Sequence, residues 1–460
     1  MKKVVALLLT LGMLLTMLAG CGSTNNDASG GKEDASGTDG VIEVTFWHVL
    51  GGSLQEPVEN LVKEFNETVG AENKIHVTPV YQGTDIMTVL TPVVQTDDVA
   101  NMPDVANISF SSTMDMSNCE YVRWLEDLMA EDDTCSAQDY LANGAYSVSV
   151  NGRMAAAPFS VSAMILYYNK NMFRDAGLDP EAPPKTIAEL ADYTEKLTTY
   201  NSDGSVDVYG FACTPDRWHL SNWIGGMGGH LGNNEGGRTG SFTEVVFGKE
   251  GTLEKVLTEY DKVVQTGGVQ NAAADQRAEF LAGDYAMILQ SSSRISSFMA
   301  AAKEGGWELG VAGLPAVDAQ ATEGEAAGGA ALYIFDRKDE ARVQATYTFV
   351  KWMTSPEVQA RWSMSTGYVP TNVASQETEV WKDYIEQTPE AMVPLTILQN
   401  SSMSNQEPLD PISNQLSGYY ADAFNALFAG ESIPDIVENT VSKCNSAIDE
   451  YYEMNPDALW

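Results

Sequence analysis

From Val41 onward the chain alternates between two hydrophobic periods. Ile42, Val44 and Phe46 stand two residues apart and predict a strand. Leu54, Val58, Leu61, Val62 and Phe65 then recur at spacings of three and four and predict a helix. Ile75, Val77 and Val80 predict a second strand. A second helix runs from about Thr84 through Val89 and Leu90, with Pro92 bending or interrupting it, and Asp104 to Ile108 predicts a third strand. Strands alternating with helices imply parallel pairing with helices on both faces. After Pro158 the pattern begins again with an apolar, aromatic strand from Ala163 to Tyr168. Thr186-Ile187-Ala188-Glu189 is a capping box opening a helix whose buried stripe is Ile187, Leu190, Ala191 and Leu197. Asn201-Ser202-Asp203-Gly204 reads as a turn toward a strand from Val208 to Phe211, with a calcium loop as the alternative. A strand from Tyr285 to Leu289 follows the Gly283-Asp284 turn. Two helices end the chain, one carrying Leu416, Tyr420, Ala423 and Leu427, the other Ile433, Ile436, Val437, Cys444 and Ile448.

The N-terminus has a different pattern. Lys2-Lys3, an apolar run from Val4 to Met17 and small residues before Cys21 make an export signal over residues 1–20. The run falls short of the roughly 20 residues that span a bilayer. Leu18-Ala19-Gly20-Cys21 resembles a bacterial lipobox, which implies a diacylated Cys21 at the mature N-terminus. Residues 21–40 contain no large apolar side chain and are expected to form a flexible linker. The expectation is an extracytoplasmic protein, lipid-anchored to a bacterial cell membrane.

Composition narrows the function. The formal net charge is −38, and two units more negative without Lys2 and Lys3, so nucleic acid and anionic lipid surfaces are excluded as electrostatic partners. Beyond Val41, roughly 420 residues exceed what one hydrophobic core usually serves, and two lobes are expected. Cys119, Cys135, Cys213 and Cys444 form no C-x-x-C pair; Cys119 and Cys135 read either as a disulfide or as free thiols. G-x-S-x-G, H-E-x-x-H and Walker glycine loops are absent, and His219 and His230 are not spaced as a zinc pair. The 64 acidic residues leave a secreted glycoside hydrolase as the rival class. The expectation is no enzyme, no metal and no cofactor.

Several segments in order resemble one family: Phe46-Trp47-His48; Pro158-Phe159-Ser160-Val161-Ser162 leading into Leu166-Tyr167-Tyr168-Asn169-Lys170; Gly283-Asp284-Tyr285-Ala286-Met287; Gly328-Gly329-Ala330-Ala331-Leu332; and Thr366-Gly367-Tyr368-Val369-Pro370-Thr371. The chain resembles the extracellular solute-binding lipoproteins of sugar-type ABC transporters, in the branch containing the glycerol-3-phosphate-binding proteins. The resemblance covers the whole mature chain. It implies an α/β, two-lobe periplasmic-binding-protein-like fold of type II, each lobe a mainly parallel sheet flanked by helices and joined by hinge crossovers. Crossings are expected near Phe159–Ser162, Leu289–Ser292 and Lys351–Ser355. Lobe 1 would then comprise 41–159 and 290–355, and lobe 2 would comprise 160–289 and 356–460. The implied function is capture of a solute between the lobes and its delivery, by a monomer, to the transmembrane subunits of a permease.

Aromatic faces suit the C–H face of a sugar or polyol, while hydroxyls and backbone groups read its oxygens. Trp218 and Trp223, ahead of the glycine-rich stretch from Gly225 to Gly237, resemble the family's aromatic platform, with core packing as the alternative. Tyr368, Ser162 and Ser292 (or Ser291) match ligand-contacting positions of the family, and Gly329 matches a site where backbone approaches ligand. Trp47 and His48 close the first strand, at the edge where open α/β sheets bind ligands. The chain also departs from the branch. Asp85 stands where the glycerol-3-phosphate binders have tyrosine, Ser109 and Phe110 stand near their glutamate, and Ser417 falls near their phosphate-gripping arginine. Burying a phosphate without a cation is costly. A neutral sugar, oligosaccharide or polyol is therefore expected, with glycerol 3-phosphate or a glycerophosphodiester as the alternative.

Overall fold

The computed structural model describes residues 40–271 and 276–459; the export signal, Cys21 and the linker lie outside the described residues, apart from Gly40. Two separate sheets organise the chain. The first is ordered Ile75–Tyr81, Ile42–His48, Val105–Ser109, Gly328–Phe335, Val122–Arg123, with Ala157–Ser162 also paired to Gly328–Phe335. The second is ordered Val269–Gln270, Phe211–Ala212, Met287–Ser291, Met164–Asn169, Leu309–Gly313. The fold is α/β and two-lobed.

The first three strands of the chain pair in parallel, as their helical connections require, but the sheets are mixed and not mainly parallel. The reason is the traffic between lobes. Ala157–Ser162 leads the chain out of the first sheet and Gly328–Phe335 leads it back, so the two run antiparallel, Ser162 opposite Gly328 and Val161 opposite Gly329. In the second sheet Met164–Asn169 enters, and both Met287–Ser291 and Leu309–Gly313 run antiparallel to it.

These registers correct the expected boundaries. The outward crossing lies at Ser162–Met164, with residues 160–162 still in the first sheet. Nothing crosses near Leu289–Ser292, since Leu309–Gly313 still pairs with Met164–Asn169; the return lies in 314–327. Near Lys351–Ser355, helix Glu340–Met353 sets Phe349 edge-on to Phe46 of the first sheet. Helix Pro356–Thr366 then stacks Trp362 between Phe159, at 5.0 Å, and Tyr368, at 5.7 Å.

Strand Met164–Asn169 of the second sheet, flanked on both sides by other strands, is buried on both faces, which explains its unbroken apolar run. Met164, Leu166 and Tyr168 enter the core that also holds Trp223, Tyr260, Tyr420 and Cys444, while Ile165 and Tyr167 point into the core shared with Trp362 and the first lobe. Asp203 accepts both the Ser205 N–H and hydroxyl in the 201–205 turn. Thr186 caps its helix through Glu189 N–H, although Glu189 reaches back to Lys185 N–H and not to Thr186. Cys119 and Cys135 are half-buried free thiols.

One buried carboxyl ties the two crossings together. Glu325 accepts the N–H of Met164, where the outward crossing ends, and of Leu314, where the return begins, each at 3.0 Å. Burial pushes its pKa up to about 8, the two N–H bonds opposing. The folded protein thus keeps the Glu325 proton between its ordinary value of 4.5 and about 8, where the unfolded chain has released it. Its stabilising contribution is complete below that window and lost as pH rises through it. Unfolding free energy measured in urea should fall by on the order of 3 kcal/mol more between pH 5 and pH 8 in the native protein than in Glu325→Gln.

Candidate ligand-binding cleft

The crossing gathers most of the residues that the sequence singles out. Ser162 is buried at the end of its strand, in register with Gly328. A Cβ on Gly328 would collide with the indole of Trp218, so the ring lies directly on backbone. Trp218 itself sits in the first turn of helix Arg217–Gly226, where Asp216 accepts its N–H at 2.9 Å and that of His219 at 3.2 Å. Asn222, one turn on, donates to the Trp218 carbonyl and accepts from Ala326 N–H at 2.8 Å, fixing the helix to the return crossing. The indole is half-buried, and its Nε1 is enclosed without a partner.

Ser292 N–H donates to the Ala163 carbonyl at 3.0 Å, and its hydroxyl is buried without a partner, as is that of Ser160. Tyr368 arrives from the other side. Gly367, at φ +101°, ends helix Pro356–Thr366 in the left-handed conformation and packs against the Ser292 carbonyl, where no Cβ fits. Val369 N–H then donates to the Val161 carbonyl at 2.7 Å. Tyr368 is left flat on Trp362, its hydroxyl beside Ser293 and Arg294; burial raises its pKa and the Arg294 charge opposes this. Trp218, Ser162, Ser292 and Tyr368 therefore surround one stretch of backbone, Val161–Ala163. Trp218 Nε1 and the Ser160 and Ser292 hydroxyls are buried there without partners, which costs free energy as they stand.

Other expected residues lie elsewhere. Trp223 is core, as its alternative reading had it: Nε1 donates to the Pro315 carbonyl at 3.0 Å, with Tyr260 and Phe424 packed on the ring. It follows Trp218 by five residues, so the two indoles point to different sides of the helix. Gly329, by contrast, stays at the crossing opposite Val161: at φ +133° it lies against the Ser160 carbonyl, where no Cβ fits. Trp47 is buried in the first lobe. His48 is fully buried with both ring nitrogens unpartnered, and burial lowers its pKa against the opposing charge of Glu59. Asp85 is exposed and accepts Met87 N–H at 3.1 Å, starting helix Met87–Gln95 later than the sequence predicts. Two residues were passed over. Gly328 is hidden in the Gly328-Gly329 pair, and Tyr81 is an exposed aromatic ending the second strand beside His48.

A cavity of about 540 Å³ lies between the lobes. The first lobe supplies Leu90, Val94, Ser112, Asp115 and Met116, and the start of helix Ser413–Phe428 closes it, Ser413 donating to the Ser111 carbonyl at 2.9 Å. Among the described residues, no lysine or arginine lines it. Arg217, the cation closest in sequence to Trp218, is buried and neutralised by Asp410 at 2.7 Å and Glu407 at 3.4 Å.

The family described as bacterial extracellular solute-binding protein matches residues 60–389. The chain belongs to this family. It is accordingly an extracytoplasmic solute-binding protein of an ABC importer, and not an enzyme. The sn-glycerol-3-phosphate-binding periplasmic protein UgpB of Yersinia pseudotuberculosis is 25% identical over 430 residues, 90% of this chain and 94% of that one. UgpB of Salmonella typhimurium is 28% identical over 379 residues, 80% of this chain and 82% of that one. Among solved structures, UgpB of Mycobacterium tuberculosis in complex with glycerophosphocholine superposes with a TM-score of 0.73 at 20% identity, covering 90% of this chain and 100% of that one. The GacH receptor of Streptomyces glaucescens, solved unliganded and with acarbose, gives 0.70 at 21% identity, covering 89% and 97%. In this solute-binding protein the two tryptophans differ in burial, Trp223 in the core and Trp218 half-buried. Trp223→Ala should cost about 3–5 kcal/mol in chemical denaturation, whereas Trp218→Ala, at a half-open position, should cost less than about 1.5 kcal/mol.

Proposed function

We propose that this solute-binding protein captures a neutral sugar, oligosaccharide or polyol between its lobes and hands it to the permease. The observation that carries this reading is the Trp218 indole laid on Gly328, with Ser162, Ser292 and Tyr368 around the same stretch of backbone. A flat apolar ring with hydroxyl and backbone partners suits a molecule with C–H faces and O–H edges. A buried phosphate would need positive charge; Arg217 is already held by two carboxylates, which leaves Arg294, beside the Tyr368 hydroxyl, as the cation a phosphate would have to use. The protein acts as a monomer without a cofactor, tethered through diacylated Cys21 and its linker.

A second reading is binding of glycerol 3-phosphate or a glycerophosphodiester. It is favoured by the names of the UgpB relatives and by the glycerophosphocholine complex of the Mycobacterium tuberculosis protein.

Thermal unfolding with a panel of neutral mono- and oligosaccharides, polyols, glycerol 3-phosphate and glycerophosphocholine separates the two readings, because a ligand of the native state raises the melting temperature. A neutral compound is expected to raise it, with Trp218→Ala abolishing the rise; a response confined to the phosphates would replace the first reading with the second. For the tether, Cys21→Ser should move the protein from the membrane fraction to the medium or periplasm, as judged by fractionation and immunoblot.

A further inference from the structure

The glycine-rich stretch behind Trp218 contains a backbone feature that the cleft does not use. Asn234, Glu235 and Gly236 follow one another at φ of 53°, 53° and 68°, a left-handed turn. L-residues avoid this conformation, and it persists where surrounding structure enforces it. Here it is enforced. Leu409 N–H donates to the Gly236 carbonyl at 2.8 Å, Asn234 Nδ2 donates to the Ser241 carbonyl at 2.7 Å, and Gly237, at φ +84°, packs on the Leu409 carbonyl where no Cβ fits.

The turn delivers Arg238. Its Nη1 donates to the Tyr146 carbonyl at 2.9 Å, its Nη2 donates to the Glu407 carbonyl at 2.8 Å, and its guanidinium lies 4.9 Å over the Tyr146 ring. The two acceptors come from opposite lobes. Tyr146 is on helix Ala142–Ser147, whose Gly144 packs against Pro158 and Val161 of the first sheet. Glu407 is held to the second lobe by Arg217 at 3.4 Å. Neighbouring contacts follow the same boundary. Ser147 donates to Gln406 Oε1 at 3.0 Å, and Leu409 packs with Met114 and Val150.

We propose that Arg238 is an interlobe latch, a positioning residue that holds the lobes closed without belonging to the ligand site. Its fork is complete only when the Tyr146 and Glu407 carbonyls stand side by side, so it stabilises the closed arrangement and contributes nothing to an open one. Removing it therefore shifts the population toward open, and weakens the apparent affinity for any solute that the closed cleft holds. Both acceptors are backbone carbonyls, which no substitution at those positions deletes; control rests with the arginine and with the turn that aims it.

Spin labels at K63C on helix Gln55–Glu67 of the first lobe and E195C on helix Ile187–Leu197 of the second read the lobe separation in ligand-free protein. R238A should raise the open-to-closed ratio by at least about tenfold over the native protein, the scale of a lost charged hydrogen bond. R238K, with charge but no planar fork, should fall between them. The R238A melting temperature should stay within a few degrees, as a closure defect and not an unfolding one. A native-like distance distribution in R238A overturns the proposal. Should R238A fail to fold, Y146A keeps the arginine and both carbonyls and removes only the ring; it must still lengthen the mean distance, and an unchanged distribution there overturns the proposal equally.

Discussion

Everything in this molecule is arranged around an antiparallel exchange of backbone between two sheets. Strand Ala157–Ser162 leaves the first sheet against Gly328–Phe335, which returns to it, and Ala163 is the one residue between the outgoing strand and the strand that opens the second sheet. Backbone polar groups at such a crossing have to be paired wherever they are buried. The Ala163 carbonyl takes Ser292 N–H, the Val161 carbonyl takes Val369 N–H, and Glu325 takes the N–H groups of Met164 and Leu314. Those pairings import the segments that carry Ser292 and Tyr368. The candidate cleft is thus a by-product of satisfying the hydrogen bonds of the crossing.

The same crowding explains which residue types occur there. At three positions a Cβ would collide, and glycine stands at each: Gly328 under the Trp218 indole, Gly329 against the Ser160 carbonyl, Gly367 against the Ser292 carbonyl. Aromatic rings fill the flanks. Phe159, Trp362 and Tyr368 form one stacked column, so the phenol that faces the crossing is backed by two rings. A rigid wall is a better platform than a mobile one, since less ordering is left to be done on binding.

Charge is partitioned with equal economy. The chain is strongly acidic, yet several of its arginines are turned inward, Arg217 to Asp410 and Glu407, Arg337 and Arg342 to the buried Asp104. Removing one member of such a set would strand a buried charge. These arginines hold segments in place and are unavailable to an anionic solute. Arg238 differs in having carbonyl acceptors, which bind it without neutralising it.

What the sequence by itself determined was the kind of object: an extracytoplasmic, two-lobed α/β chain of the solute-binding family, with Trp218, Trp223, Tyr368, Ser162, Ser292, Gly329, Asp85, Trp47 and His48 as site candidates. Periodicity and motif order are local properties, and they survive reading in one dimension. The tertiary structure decided the rest. Trp218 and Trp223 are five residues apart in similar surroundings, and only the helix they share, one side on Gly328 and the other on Tyr260 and Phe424, separates platform from core. The adjacent glycines 328 and 329 differ in what passes over them, an indole or a carbonyl, and in backbone conformation, since Gly329 alone has positive φ. The return crossing had no periodic signal to mark it, because strand Leu309–Gly313 extends the second sheet well beyond the first irregular segment. Which carbonyls Arg238 reaches depends on residues 92 and 169 positions away in the chain. Contacts at that separation are set by packing, and no local pattern encodes them.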